Sequence, residues 1–413
     1  MESTATLFHF CDKIKAGEYT PAFIVTKGDE SMRGFALRKF VAPEILFGRG
    51  ALSLAGQYAR NLGGGRVFVA TDPGVIEAGL LEPVLESLEQ EDLDYTVFSD
   101  IRPNPTASMV MAGARVFADE RCDLILALGG GSSMDCAKAV GAVHANGAHV
   151  SEFVGVDRIP LPCPPVICIP TTAGSAADVS QFAIIKNEET KVKNAIVSKS
   201  IVPDVALVDP ETTLTMDRNL TAATGLDALT HAVEAYVSRA SSDLTDLHAL
   251  QAIRLVGEFL PKVLDNLSDI DYRTGMMLAS LHAGLAFSNA SLGVVHALSH
   301  SLGGLLDLPH GECNSLLLRW GVEANFSAAP ERYTQILEAL GGNASSPEPM
   351  KELLDRLDAL RSTAGIPGRL RDLGLGEEQL PVLAKTGEED PCMLTNPLPF
   401  NHDELEELLR NAY

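Results

Sequence analysis

The first part of the chain alternates short apolar runs with stretches of helical period. Residues 66–72 (RVFVATD) are rich in β-branched and aromatic residues and close on a polar turn, and residues 94–100 (DYTVFSD) repeat the pattern before the turn RPNPT. Residues 122–133 (CDLILALGGGSS) run apolar into three glycines, and residues 164–172 (PPVICIPTT) form a further apolar run. Short runs of this kind bounded by turn residues predict strands. Helical patterns fill residues 108–120 and 133–144 between them. Such alternation predicts an α/β domain built on a largely parallel sheet.

The pattern changes after about Asp209. Helical periods cover residues 220–237, 244–264, 272–287, 330–340 and 349–364, and the tail, 395–413, ends in one more amphipathic helix. Strand-like runs disappear. A second, all-helical domain is therefore expected, with the boundary near VDPETTLT, at 211/212. Residues 1–38 fit neither pattern and have no assigned role. No internal repeat or low-complexity segment is visible.

The chain has 413 residues, enough for two domains, and 46% of them are hydrophobic, enough for sizeable cores. Lys and Arg total 32 against 55 Asp and Glu, a net charge of -23. Such a surface repels nucleic acid and anionic membranes, so neither is expected as a partner. The seven cysteines are scattered, with no C-x-x-C pair, and read as reduced thiols of a cytoplasmic protein. The N-terminus lacks the pattern of a signal peptide. No apolar run reaches the roughly 18 to 20 residues of a membrane span, and the most apolar C-terminal stretch, 284–306, is interrupted by His296 and His300.

Two features then suggest chemistry. Gly129, Gly130 and Gly131 lie between a predicted strand and a predicted helix. Glycines allow a sharp turn and let backbone N–H groups approach a phosphate at a helix N-terminus. A G-x-G-x-x-G reading fails at Met134, and no Walker lysine follows. A plain turn needs one glycine, so three glycines and two serines favour a pyrophosphate site. Asp72 ends the strand of residues 66–72, where an acid either binds the ribose hydroxyls of an adenosine or simply caps a helix.

The second feature is a set of histidines. Asp227 and His231 are four residues apart, so a helix puts them on one face. His296 and His300 repeat that spacing, and His310 follows in a Pro-His-Gly turn. Burying these groups costs free energy unless something pairs them, and a divalent cation would pair them. Imidazoles with one carboxylate suit Fe²⁺, Zn²⁺, Co²⁺, Ni²⁺ or Mn²⁺ and do not suit Mg²⁺ or Ca²⁺. Spacing alone does not say which of the five candidates stands outside the set. The absence of HExxH disfavours a zincin peptidase.

The segments GGGSSMDCAK, PTTAGSAADVS, PDVALVDP, TGLDALTHAVEAY, FSNASLGVVHALSHSLGG and PHGECN occur in the order found in iron-containing (group III) alcohol dehydrogenases. The chain resembles that family from Lys39 to its end. The resemblance implies a Rossmann-like dinucleotide-binding domain (residues 39–211), a helical metal-binding domain (residues 212–413), and an active site between them. It implies Asp227, His231, His296 and His310 as metal ligands, with iron the first choice of metal, and His300 as a proton-relay group beside them. The cofactor residues it implies are Asp72, Asn104, Gly130, Gly131, Ser132, Asp135, Thr171, Thr172, Ser175 and Lys193, with Asp72 selecting NAD over NADP. Many members read Gly-Thr-Gly-Ser-Glu where this chain has Gly174, Ser175, Ala176, Ala177 and Asp178, which puts contacts in that loop in doubt.

The activity implied is NAD-linked interconversion of primary alcohols and aldehydes, in a homo-oligomer. Related alternatives are a maleylacetate reductase, a glycerol dehydrogenase or a hydroxyacid–oxoacid transhydrogenase. A non-catalytic regulatory protein of the same fold is disfavoured by the intact ligand set. Phe287 and the FSNAS segment are candidates for the substrate pocket, and Cys313 is expected to be a packed thiol.

Overall fold

A computed structural model describes residues 38–190 and 192–413. The extension assigned to residues 1–38 therefore lies, apart from Arg38, outside the described residues. Six strands form the main sheet: β1 (Glu44–Phe47), β2 (Arg66–Ala70), β3 (Asp94–Phe98), β4 (Leu124–Gly129), β6 (Val166–Pro170) and β9 (Val205–Val208). Their order across the sheet is β1-β9-β6-β4-β2-β3, and every pairing is parallel. Helices lie between them: α1 (Ala55–Asn61), α2 (Pro73–Glu77), α3 (Leu81–Gln90), α4 (Ala107–Asp119) and α5 (Gly131–Asn146).

The apolar runs of β2 and β4 lack polar alternation because both faces of the sheet are covered. Phe68, Ala70, Ile125 and Ala127 pack on one side with Val110 and Phe117 of α4 and Val140 of α5. Val67, Val69, Leu124, Leu126 and Leu128 pack on the other with Ala55 and Ala59 of α1 and Val84 and Leu88 of α3. The predicted strands and helices of this half are present, the strands trimmed by a few residues and the helices shifted or lengthened by one or two.

A second, three-stranded sheet was not foreseen. It contains β5 (Gly155–Val156), β7 (Phe182–Lys186) and β8 (Lys193–Val197) in the order β5-β8-β7, with β7 and β8 antiparallel. Strands β7 and β8 mix lysines with apolar residues and do not stand out in the pattern, and the sheet forms one wall of the cleft described below.

Beyond β9 the described residues are helical: α6 (Arg218–Val237), α7 (Asp243–Asp265), α8 (Ile270–Ala290), α9 (Val294–Leu306), α10 (His310–Asn325), α11 (Pro330–Ala339), α12 (Pro349–Ala364), α13 (Leu380–Glu388) and α14 (His402–Ala412). Helix α6 starts at Asp217, whose side chain accepts from the Leu220 N–H. It is apolar on nearly all sides because it is the central helix, packed against α7, α8 and α10. The Pro-His-Gly turn of the sequence reading is the first turn of α10, with Pro309 at its N-cap position. No single described helix is long and apolar enough to cross a membrane, and the apolar pair α8 and α9 is bent by 102°.

Candidate metal and cofactor site

Four side chains from three helices converge on one point. Helix α6 presents Asp227 and His231, α9 presents His296, and α10 opens with His310. One potential ligand atom from each lies within 4.8 Å of those from the other three. His231 stacks on His296 with ring centroids 4.6 Å apart and on Phe287 at 4.3 Å. His310 Nε2 lies 3.9 Å from Asp227 Oδ1. Burial lowers the basicity of His231, against the pull of Asp227. Burial, with the neighbouring imidazoles, pushes His296 and His310 well below the usual histidine range. The three rings are therefore neutral and have lone pairs to offer.

This donor set fits a divalent first-row transition cation. Three imidazoles and one carboxylate are the borderline-soft ligands such ions take. Four such donors crowded within 4.8 Å, most of them buried, carry a cost that a bound cation would offset. The tautomer of His296 is fixed as metal-ligating histidines usually are. Its Nδ1 lies 2.6 Å from Glu234 Oε2, and Glu234 Oε1 accepts from the Val295 N–H at 2.7 Å, which turns Nε2 toward the other donors. Asn314, fully buried, sets its amide nitrogen 2.7 Å from Asp227 Oδ1 and 3.0 Å from both His296 Nε2 and His310 Nε2.

Glu234 and Asn314 were missed in the sequence, although both carry a signal. Glu234 continues the Asp227–His231 stripe of α6 at helical spacing, and Asn314 follows His310 by one turn. His300 stands apart from the four. Its ring stacks on His310 at 5.3 Å, and its Nδ1 lies 2.8 Å from Asp390 Oδ2, a residue no spacing pointed to. Cys313 is buried and its thiol is pushed up to about 12, so it is the packed thiol expected.

Beside these histidines lies an open pocket of about 880 Å³, including space continuous with solvent. The small sheet supplies an apolar wall through Phe182, Ile184, Ala195 and Val197, and Phe287 lines it too. Asp135 and Ser175, both near the glycine turn, reach the same pocket. Asp135 Oδ2 accepts from the Ile184 N–H at 3.0 Å, and burial raises its pKa to about 6.

The glycine turn sits at the sheet's switch point. Strand β2 leads to β3 on one side, and β4 returns to the other, so a crevice opens beyond the C-terminal ends of β2 and β4, where open α/β sheets bind ligands. Gly129 has φ +155, and a side chain there would meet Ser133 Oγ at 2.5 Å. One at Gly131 would meet Ser175 Cβ at 2.9 Å, and one at Gly130 would meet Thr172 Cγ2 at 3.2 Å. The Thr171 N–H donates to the Gly129 carbonyl at 2.9 Å. Ser132 Oγ accepts from the Asn104 N–H at 3.3 Å. These contacts bring Asn104, Thr171, Thr172, Ser175 and the turn together at the N-terminus of α5, whose dipole favours an anion.

Of the two roles its position suggested for Asp72, helix capping is the one seen. It lies at the crevice, and it caps α2, with Oδ1 accepting from the Val75 N–H at 3.1 Å and Oδ2 from Ser133 Oγ at 2.9 Å. Asn104 also reaches across to the helical part. Its amide donates to Asp307 Oδ1 at 2.9 Å, and Lys186 Nζ meets the same oxygen at 2.8 Å. Lys193 lies apart from the glycine turn, buried at the start of β8 near Gly303. The loop that departs from the family pattern is held by Lys138, whose ammonium donates to the carbonyls of Ala177 at 2.8 Å and Ser180 at 3.0 Å.

Comparison with known proteins gives the family. Residues 42–210 match the family described as iron-containing alcohol dehydrogenase, and residues 221–413 match the C-terminal part of the Fe-containing alcohol dehydrogenase family. Alcohol dehydrogenase 4 of Saccharomyces cerevisiae is 39% identical over 385 residues, covering 93% of this chain and 99% of its own. The NAD-dependent methanol dehydrogenase of Bacillus methanolicus is 37% identical, covering 90% of this chain and 99% of its own. The crystal structure of a 1,3-propanediol oxidoreductase superposes with a TM-score of 0.89 at 37% identity, over 91% of this chain and 100% of that one. The chain belongs to the iron-containing alcohol dehydrogenase family and is a metal-dependent alcohol/aldehyde oxidoreductase.

Proposed function

We propose that this enzyme interconverts primary alcohols and aldehydes with NAD(H), using one divalent cation, Fe²⁺ before Zn²⁺, Mn²⁺, Co²⁺ or Ni²⁺, held by Asp227, His231, His296 and His310. The observation that carries the reading is the convergence of those four donors beside a pocket that Asp135 and Ser175 connect to the glycine turn. Residues 39–211 are read as the dinucleotide-binding domain and residues 212–413 as the metal-binding domain. Similarity to a relative named NAD-dependent and the carboxylate of Asp72 both support NAD over NADP, because a carboxylate repels a 2′-phosphate.

The net reaction converts a primary alcohol and NAD⁺ to the aldehyde, NADH and H⁺. When bound, the cation supplies Lewis acidity to the alcohol oxygen and NAD supplies the hydride acceptor. The chain's own residues do the rest. Gly130, Gly131, Ser132, Thr171, Thr172 and Ser175 line the turn that would receive the pyrophosphate, with Asn104, Asp135 and Lys193 as further cofactor contacts. Phe182, Ile184 and Phe287 give the substrate's carbon chain an apolar wall. His300 takes the hydroxyl proton as a relay group.

The test is absorbance at the NADH band with a panel of primary alcohols and aldehydes, after loading the chelated protein with Fe²⁺, Zn²⁺ or Mn²⁺ in turn. Turnover that tracks metal content and prefers NAD is the expected result. Full turnover in protein without metal by elemental analysis overturns the ligand assignment. Exchange between an alcohol and an aldehyde with no added NAD identifies a transhydrogenase instead. Exposed Leu244 and Leu247 on α7 support a homo-oligomer, which light scattering would read directly. The unpaired cysteines among the described residues support a cytoplasmic site of action, testable by fractionation.

A further inference from the structure

The segment from Asp390 to Thr395 crosses the pocket and delivers a carboxylate to the one histidine outside the ligand set. Asp390 Oδ2 lies 2.8 Å from His300 Nδ1, with the two side chains 9% and 7% exposed. The other oxygen, Oδ1, accepts from the Cys392 N–H at 2.8 Å. Both oxygens are thus held, and Pro391 and Cys392 lock the carboxylate's approach while lining the pocket themselves. Burial would raise the Asp390 pKa, but the charge His300 carries when protonated and the hydrogen bonds from His300 and Cys392 outweigh it and keep the group below the usual carboxylate range. An ionised carboxylate only accepts hydrogen bonds, so His300 Nδ1 is the donor and carries a hydrogen. In a neutral ring Nε2 is then the free lone pair, on a side chain that lines the pocket.

We propose that Asp390 is the positioning residue of the proton relay: it fixes the tautomer and ring angle of His300 so that Nε2 accepts the hydroxyl proton. The logic is that of any buried carboxylate that orients a basic histidine. The proposal rests on the reading of His300 as the relay, and it assigns a function to a residue ninety positions away in sequence.

Asp390→Asn is the test, made in the metal-loaded enzyme with saturating NAD. A side-chain amide can turn its NH₂ toward Nδ1 and stabilise the opposite tautomer. The expected result is a fall in kcat of roughly 10- to 100-fold with KM for alcohol and NAD within about twofold, and metal content unchanged. A solvent deuterium isotope effect on kcat should appear or grow as proton transfer becomes slow. In a His300→Ala background, adding Asp390→Asn should cost nothing further. An additive loss overturns the proposal, because Asp390 then acts through something other than His300.

If His300→Ala leaves kcat intact, the relay reading itself fails. If His300→Ala impairs kcat and Asp390→Asn does not, the relay stands and only the positioning role fails. His300, Asp390 and Cys392 also offer ligand atoms within 4.8 Å of one another. A second metal equivalent in the wild type that Cys392→Ser loses would show a cation there, and overturn the dyad. Should Asp390→Asn misfold, the ¹⁵N-histidine spectrum of the Zn²⁺-loaded wild type decides: His300 must show a protonated Nδ1 and a bare Nε2, and the reverse assignment overturns the proposal.

Discussion

At the scale of single residues the metal site depends on groups that never reach the cation. Glu234 receives the Val295 N–H, the His296 N–H and His296 Nδ1 on its two oxygens. Glu234→Gln should weaken metal binding by about 10- to 100-fold, read by chelator competition, with the fold intact by circular dichroism. An unchanged affinity would show that backbone packing alone orients His296. Asp72→Ala should let NADPH compete with NADH, and should cost about 1 kcal/mol of stability through the lost cap on the Val75 N–H; steady-state kinetics with the two cofactors would show the first effect and thermal melts the second. Asp227 and His231 were legible because four residues make one helical turn. Glu234 was equally placed but went unread, since an acid beside a histidine resembles surface charge until burial is known. Asp390 was illegible in principle, because only a loop crossing the pocket brings it to His300.

At the scale of elements, most long helices and the central strands of the main sheet were legible, whereas α9, α10 and the edge of that sheet at β1 and β9 were not. Residues 66–72 and 122–133 announced β2 and β4 because sandwiched strands are apolar on both faces. Strands β5, β7 and β8 belong to a small sheet only three strands wide, where half-buried positions blur the period. The Pro-His-Gly turn proved to be the start of α10, since proline suits a helix N-terminus as well as a turn. Where α7 meets α8, His248 Nδ1 lies 2.8 Å from His282 Nδ1. One ring must donate and the other accept, so the contact needs at least one neutral histidine. Burial lowers both pKa values below 6.5, that of His282 to about 4. The unfolded chain therefore takes up protons first, and stability is complete above 6.5 and is lost as pH falls toward about 4. Replacing His282 with Gln should flatten the fall in Tm over that window; an unchanged slope would place the acid sensitivity elsewhere.

At the scale of the whole molecule, the ligand set ties α6, α9 and α10 to one point, so a cation that binds only the folded chain must stabilise it. Removing metal with a chelator should lower Tm, and restoring free cation to about one hundred times its Kd should return about 2.7 kcal/mol. A Tm indifferent to metal would mean that the site forms only weakly in the folded state. Much was fixed by the chain alone: the change of period near Asp209, the glycine turn after an apolar strand, the shared helix face of Asp227 and His231, and the run of family segments. These are local properties, set by backbone periodicity and by residues within a turn or two of each other. The tertiary structure decided which histidines converge, that Asp72 caps a helix at the crevice it faces, and that Asn104 joins the two halves through Asp307. It also brought Asp390 to His300. Those relations run between residues far apart in sequence, and they exist only once packing and burial have chosen which side chains must find a partner.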